Sequence, residues 1–211
     1  MPIQYSCFIS YCHGDGDLIG NFINELVKAL TNELSSYIDE GVYIDIQRLR
    51  PGYKWDVALT KALCGSVCMI VVYYPKYPRH TYCLQEYAGM ELIEEERLKL
   101  LAQVEVSKEY GMIIPIVLRG NLEDIPQRIR DQRQFADFSK FSTANPEIST
   151  NPDYALKIKD IAYYIYQIYQ NFEQLQDAGK DICDICNDFN MPDGAEIQPW
   201  PRQQKAPFPL R

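Results

Sequence analysis

The chain has 211 residues, 46% of them hydrophobic, and a formal charge of −8; this suits one α/β-sized core with an appendage. That charge argues against general nucleic-acid binding, which favours clustered basic surface, and against an anionic membrane surface. No apolar run reaches membrane-spanning length and no export signal is visible, so the seven scattered cysteines are expected to be reduced thiols in a cytoplasmic chain.

In chain order, residues 4–11 (QYSCFISY) read as a buried parallel strand centred on Phe8 and Ile9. The polar loop CHGDGD follows, with Asp17 as N-cap of a helix running from 18 to about 34. Its stripe is Leu18, Phe22, Leu26, Ala29 and Leu30. Residues 43–46 form a short second strand. The stretch from Gln47 to Lys54 (QRLRPGYK) turns at its Pro-Gly pair. A short helix then carries Trp55, Leu59 and Leu63 at spacing four. Residues 67–73 read as a third strand, and Thr81 as N-cap of a long helix reaching to about 108. Residues 112–118 (MIIPIVL) form a fourth strand. Pro115 lacks a ladder donor, which places that strand near an edge or at a bulge. A loop-rich section holds a short fifth strand within 135–138. A strong helix over 154–175 follows, with Tyr154, Ile158, Ile161, Ile165, Ile168, Phe172 and Leu175 at spacings of four and three. After Asp181 periodicity is lost, and the proline-rich end (QPWPRQQKAPFPLR) reads as an extended tail.

Strands alternating with helices predict a doubly wound parallel sheet. In such sheets ligands bind at the carboxyl ends of the strands. The stretch from Tyr73 to Glu91 (YYPKYPRHTYCLQEYAGME) lies at such an end and presents Tyr82 and Glu86 on one helix face, four residues apart. Three rivals drop out here. A receiver domain needs an aspartate at the end of the third strand, where this chain has Val72, Tyr73, Tyr74 and Pro75. A flavodoxin phosphate loop would be less acidic than residues 12–17, and no GxxxxGK[ST] occurs. Cys183-x-x-Cys186 has no second cysteine pair and is not read as a metal or redox site. His13 and His80 are read as loop residues without an assigned role.

Four stretches together resemble the boxes of TIR (Toll/interleukin-1 receptor) domains. FISYCHGD from Phe8 resembles the first-strand box. LRPGYKW from Leu49 is similar to the BB loop, TYCLQE from Thr81 to the third box, and IIPIVL, proline included, to the fourth strand. The resemblance spans roughly residues 3–175. It implies a flavodoxin-like, five-stranded parallel sheet, with a TIR domain over residues 1–178 and the proline-rich tail over 179–211.

The same resemblance implies that the chain is an NAD+ glycohydrolase or cyclase with Glu86 as the catalytic carboxylate. The substrate-binding set it implies is Tyr11, Cys12, Arg50, Gly52, Trp55, Tyr82 and Cys83, with Tyr82 where the family more often has tryptophan. NAD+ is then substrate, and neither a cofactor nor a metal is expected. Nicotinamide leaves neutral from a pyridinium, so one carboxylate suffices where ordinary glycosidases need two. The loop after the first strand would offer backbone N–H groups to the diphosphate. Arg48, Arg50 and Lys54 add positive charge to the BB loop, which by resemblance packs against a second copy of the chain. Antiphage defence, with an effector protein sensing the product, is the implied setting. The alternative is a non-catalytic TIR–TIR interaction module, which does not require Glu86. On its residues alone Cys83 reads as a small buried hydrophobe and Trp55 as a core or loop anchor.

Overall fold

The computed structural model describes residues 3–13, 17–44, 55–104, 110–120, 122–141 and 148–200. Five parallel strands, β1 (Tyr5–Ser10), β2 (Val42–Ile44), β3 (Ser66–Tyr73), β4 (Ile113–Val117) and β5 (Ala136–Asp137), form one sheet in the order β2-β1-β3-β4-β5. The helices are α1 (Asp17–Leu34), α2 (Trp55–Cys64), α3 (Thr81–Leu101), α4 (Gln127–Arg130) and α5 (Pro152–Asp177). α1 packs with α5, and α2 with α3. This is the flavodoxin-like doubly wound sheet expected from the alternation of strands and helices. Every residue of β3 is buried, as a strand covered on both faces requires.

β1 and β3 are neighbours, in register from Tyr5 opposite Ser66 to Ser10 opposite Val71. The chain leaves β1 toward β2 on one side and leaves β3 toward β4 on the other. Their carboxyl ends therefore flank the switch point of the sheet, where loops diverge and leave a crevice.

Pro115 lies in the second strand from the edge, opposite Val71 of β3. Met112 accepts from Met69 and Leu118 donates to Tyr73, so even-numbered residues of β4 turn their backbone groups to β3. The Pro115 nitrogen faces the β5 side, where pairing begins only at Ile116. Its missing donor costs the ladder nothing there.

Two expectations need correction. Thr81 is the first residue of α3, and the cap position is His80, in extended conformation and without a side-chain capping bond. α3 ends at Leu101, short of the predicted 108. Between α5 and Trp200 the chain packs back onto the domain, while the proline-rich end beyond Trp200 lies outside the described residues. Gly179, with φ 77°, ends α5 in the left-handed conformation that glycine adopts without steric cost. The chain then folds back, forms a short 3-10 turn over Asp184–Asn187, and buries Trp200. α5 itself starts as its sequence indicates, with Asn151 Oδ1 accepting from the Asp153 and Tyr154 amides.

The reduced-thiol reading fails at one pair: Cys64 and Cys186 form a disulfide. The returning chain passes the carboxyl end of α2, which brings together cysteines 122 residues apart in sequence. No local pattern could report that pairing. The CxxC motif is split: Cys186 is bonded, while Cys183 stays a buried free thiol.

Candidate functional site

At the switch point β1 ends at Ser10 and continues into Tyr11 and Cys12, and β3 is followed by Tyr74, a 3-10 turn over Tyr77–Arg79, and the start of α3. The 3-10 turn has proline at its head and stops the chain from running straight from strand into helix. α3 thus begins above the carboxyl ends of β1 and β3, and its first turns face the end of β1.

Glu86 is placed in the second turn of α3 and is only 5% exposed. Burying a carboxylate is costly unless hydrogen bonds replace its water. Ser10 Oγ donates to Glu86 Oε2 at 2.5 Å. Ser10 Oγ also lies 2.7 Å from the Tyr77 hydroxyl, and that hydroxyl donates to the Cys83 carbonyl at 3.1 Å. With the Ser10 proton committed to the carboxylate, the Tyr77 proton is shared between Ser10 and Cys83. Burial, then the nearby Cys83 and Glu86, raise the Tyr77 pKa well above its ordinary value, so Tyr77 keeps its proton. The result is a buried chain of hydroxyls that ends on the carboxylate.

A cavity of about 430 Å³ opens beside this carboxylate, lined by Tyr11, Cys12, His13, His80, Tyr82, Cys83 and Glu86. Five residues named from the sequence, Glu86, Tyr11, Cys12, Tyr82 and Cys83, therefore border one space. Tyr82 is 61% exposed and presents its ring at the mouth, while Glu86 sits at the floor. Tyr11 is buried and stacks on His13 at 4.6 Å between ring centroids. Tyr74 fixes the loop by donating to the Cys12 carbonyl at 3.2 Å. Cys12 and Cys83 are buried thiols with sulfurs 3.6 Å apart. Their mutual hydrogen bond, then burial, push the Cys83 pKa far up, so it is not a thiolate nucleophile.

Arg50 and Gly52, with the rest of the stretch from Gln47 to Lys54, lie outside the described residues, as do residues 14–16 of the loop after β1. Trp55 opens α2, with its side chain likewise outside the description. Sequence reasoning missed four residues of this site. Ser10 and Tyr77 carry the hydrogen bonds to Glu86, and His13 and His80 line the cavity. For Ser10 the available signal was a polar residue closing the apolar run Cys7, Phe8 and Ile9, where a buried hydroxyl needs a partner.

The buried Glu86 carboxylate thus lies at the switch point of a parallel sheet, the edge at which open α/β sheets generally bind ligands. The sequence model of the TIR domain matches residues 7–148, and the chain belongs to the TIR domain family. No curated protein matches the chain. Among solved structures it is similar to the TIR domains in the structure of the activated Roq1 resistosome directly recognizing the pathogen effector XopQ. There the identity is 21% and the TM-score 0.38, over 84% of this chain and 99% of that one.

Proposed function

We propose that this TIR domain cleaves the bond between nicotinamide and ribose in NAD+. The observation that carries the proposal is Glu86: a buried carboxylate, held on one oxygen by Ser10, that lines an open cavity with an exposed aromatic ring at its mouth. In the proposed reaction the C1′–N bond breaks, its electron pair leaves with neutral nicotinamide, and positive charge develops on the ribosyl carbon. Glu86 stabilises that charge and holds the ribose hydroxyls. The low-polarity floor strengthens this interaction relative to water. Tyr82 stacks on a ring of the substrate. Water attacking C1′ gives ADP-ribose and a proton; attack by the adenine of the same molecule gives a cyclic ADP-ribose, lighter than ADP-ribose by one water.

Tyr11, Cys12 and Cys83 shape the cavity in this reading. Arg50, Gly52 and Trp55 join them, and the BB loop of a second copy completes the site. We place the activity in antiphage defence in the cytoplasm, where the product would reach an effector protein. A disulfide is uncommon in a reducing compartment. Alkylation of the chain at cell lysis, followed by a count of modified cysteines, therefore tests the location directly.

The decisive experiment is NAD+ turnover by purified protein at high concentration, reading nicotinamide release with product mass and chromatographic mobility. Release that disappears in Glu86→Gln is the expected result, and the product separates hydrolysis from cyclisation. Intact NAD+ with the wild-type protein, with or without a crowding agent to drive assembly, overturns the enzyme reading and leaves the interaction module. Loss of phage protection in Glu86→Gln is the expected result for the defence role; no protection by the intact wild-type system against any phage tested overturns it, and protection that persists in Glu86→Gln separates it from the activity.

A further inference from the structure

The match to the TIR family ends at residue 148, yet α3 is held in place by chain far beyond it. After Gly179 the chain returns across α2 and runs along α3. It is fastened at one end by the Cys64–Cys186 disulfide. In the middle, Gln85 Nε2 donates to the Pro192 carbonyl at 3.1 Å, one residue before Glu86. Two glycines mark how closely the surfaces meet. A Cβ on Gly89 of α3 would lie 2.9 Å from Met191 Sδ, and a Cβ on Gly194 would lie 2.9 Å from Thr81 Cγ2. At the far end Trp200, 7% exposed, packs on Tyr77 at 5.9 Å and edge-on to Tyr87 at 4.8 Å.

Tyr77 is the residue whose hydroxyl lies 2.7 Å from Ser10, and Ser10 holds Glu86. A path of direct contacts thus runs from Trp200 through Tyr77 and Ser10 to the carboxylate. The same segment walls a second cavity of about 530 Å³, which shares Tyr82 with the site. Both α3 residues in the proposed chemistry, Tyr82 and Glu86, therefore border this segment or a residue it packs on.

We propose that residues 180–200 form a strap that positions α3 for catalysis, with Trp200 and Tyr77 as its positioning residues. This rests on the NAD+-cleaving reading for what is positioned, though not for the strap itself. Trp200 supports the back of the Tyr77 ring and so fixes the hydroxyl that orients Ser10. The Gln85–Pro192 bond and the disulfide hold the face of α3 beside it. A carboxylate must meet the developing charge with little reorganisation, so loosening this support lowers the rate of the chemical step more than it weakens substrate binding.

The test combines steady-state kinetics with amide hydrogen exchange over residues 81–90 in the full chain. In Trp200→Ala we expect kcat to fall about tenfold with KM unchanged, and Trp200→Phe, which keeps an aromatic face, to recover most of it. Exchange over residues 81–90 is expected to rise about tenfold in Trp200→Ala and to stay near wild type in Trp200→Phe. Cys186→Ser releases the other end and should raise exchange over the same residues, which keeps the proposal testable if Trp200→Ala does not fold. Unchanged exchange in these variants, or an equal fall of kcat in the alanine and phenylalanine variants, overturns the strap. If the wild-type protein releases no nicotinamide, the enzyme reading fails alone, and exchange still decides whether the strap holds α3.

Discussion

Glu86 and Glu94 sit on the same helix, eight residues apart, and both are nearly buried, at 5% and 8% exposure. Their surroundings differ. Glu94 is saturated: Arg133 grips it with both Nη atoms, at 2.8 and 2.6 Å, and the Met112 amide donates to the same Oε1 at 2.5 Å. Burial works to lower the Arg133 pKa, but the hydrogen bonds and charge of Glu94 and Tyr87 together raise it, so Arg133 stays charged. Glu86 receives a neutral hydroxyl on one oxygen and borders a cavity. A carboxylate locked in a guanidinium fork has little capacity left for substrate. One that borders a cavity can be reached by a molecule entering that cavity. Burial on α3 therefore does not by itself single out a candidate residue; the cavity beside Glu86 does.

This contrast can be broken by experiment. The largest effect is expected from Glu86→Gln, which should lower nicotinamide release by about 1,000-fold while shifting the urea midpoint little, because the amide oxygen still accepts from Ser10. Glu94→Gln should do the reverse. Breaking a buried pair strands the Arg133 charge and costs about 3 kcal/mol in equilibrium unfolding, with turnover per folded molecule retained. Ser10→Ala should reduce kcat about tenfold, since Glu86 loses the hydroxyl that donates to it. A comparable fall in Glu94→Gln would erase the distinction between the two carboxylates.

A smaller effect concerns pH. Burial pushes both Tyr73, beside Asp124, and Tyr164 up to about 12 from an ordinary 10.0. Below pH 10 the folded and unfolded chains both carry the hydroxyl. From there to about pH 12 the unfolded chain ionises and the folded chain does not, so stability falls as pH rises. Unfolding midpoints between pH 8 and 11 should be flat at first and then decline, and Tyr164→Phe should reduce the slope.

The sheet was legible because β1 and β3 are apolar runs with punctuated ends, and because helix periodicity in α1 and α5 is strong. The pairing of Tyr82 with Glu86 followed from helical spacing alone. Other features lay beyond local pattern. Glu94 and Arg97 belong to a charged run that reads like solvated helix surface. In the fold Arg97 is fully buried, donates to the Cys64 and Ser66 carbonyls at 2.6 and 2.8 Å, and lies over the Phe172 ring. Its partners are backbone carbonyls, which sequence spacing cannot show. Tyr77 looked like one tyrosine among sixteen and proved to be a hinge of the Glu86 network. Cys186 and Trp200 act across the chain from their contacts, inside a segment without periodicity.

The most direct test of the central claim compares single-turnover nicotinamide release by the wild-type protein, Glu86→Gln and Glu94→Gln, normalised to folded protein. The account predicts release by the wild type and Glu94→Gln at similar rates, and none above background by Glu86→Gln. Equal release by all three would contradict it, because the carboxylate at the switch point would then have no part in the chemistry.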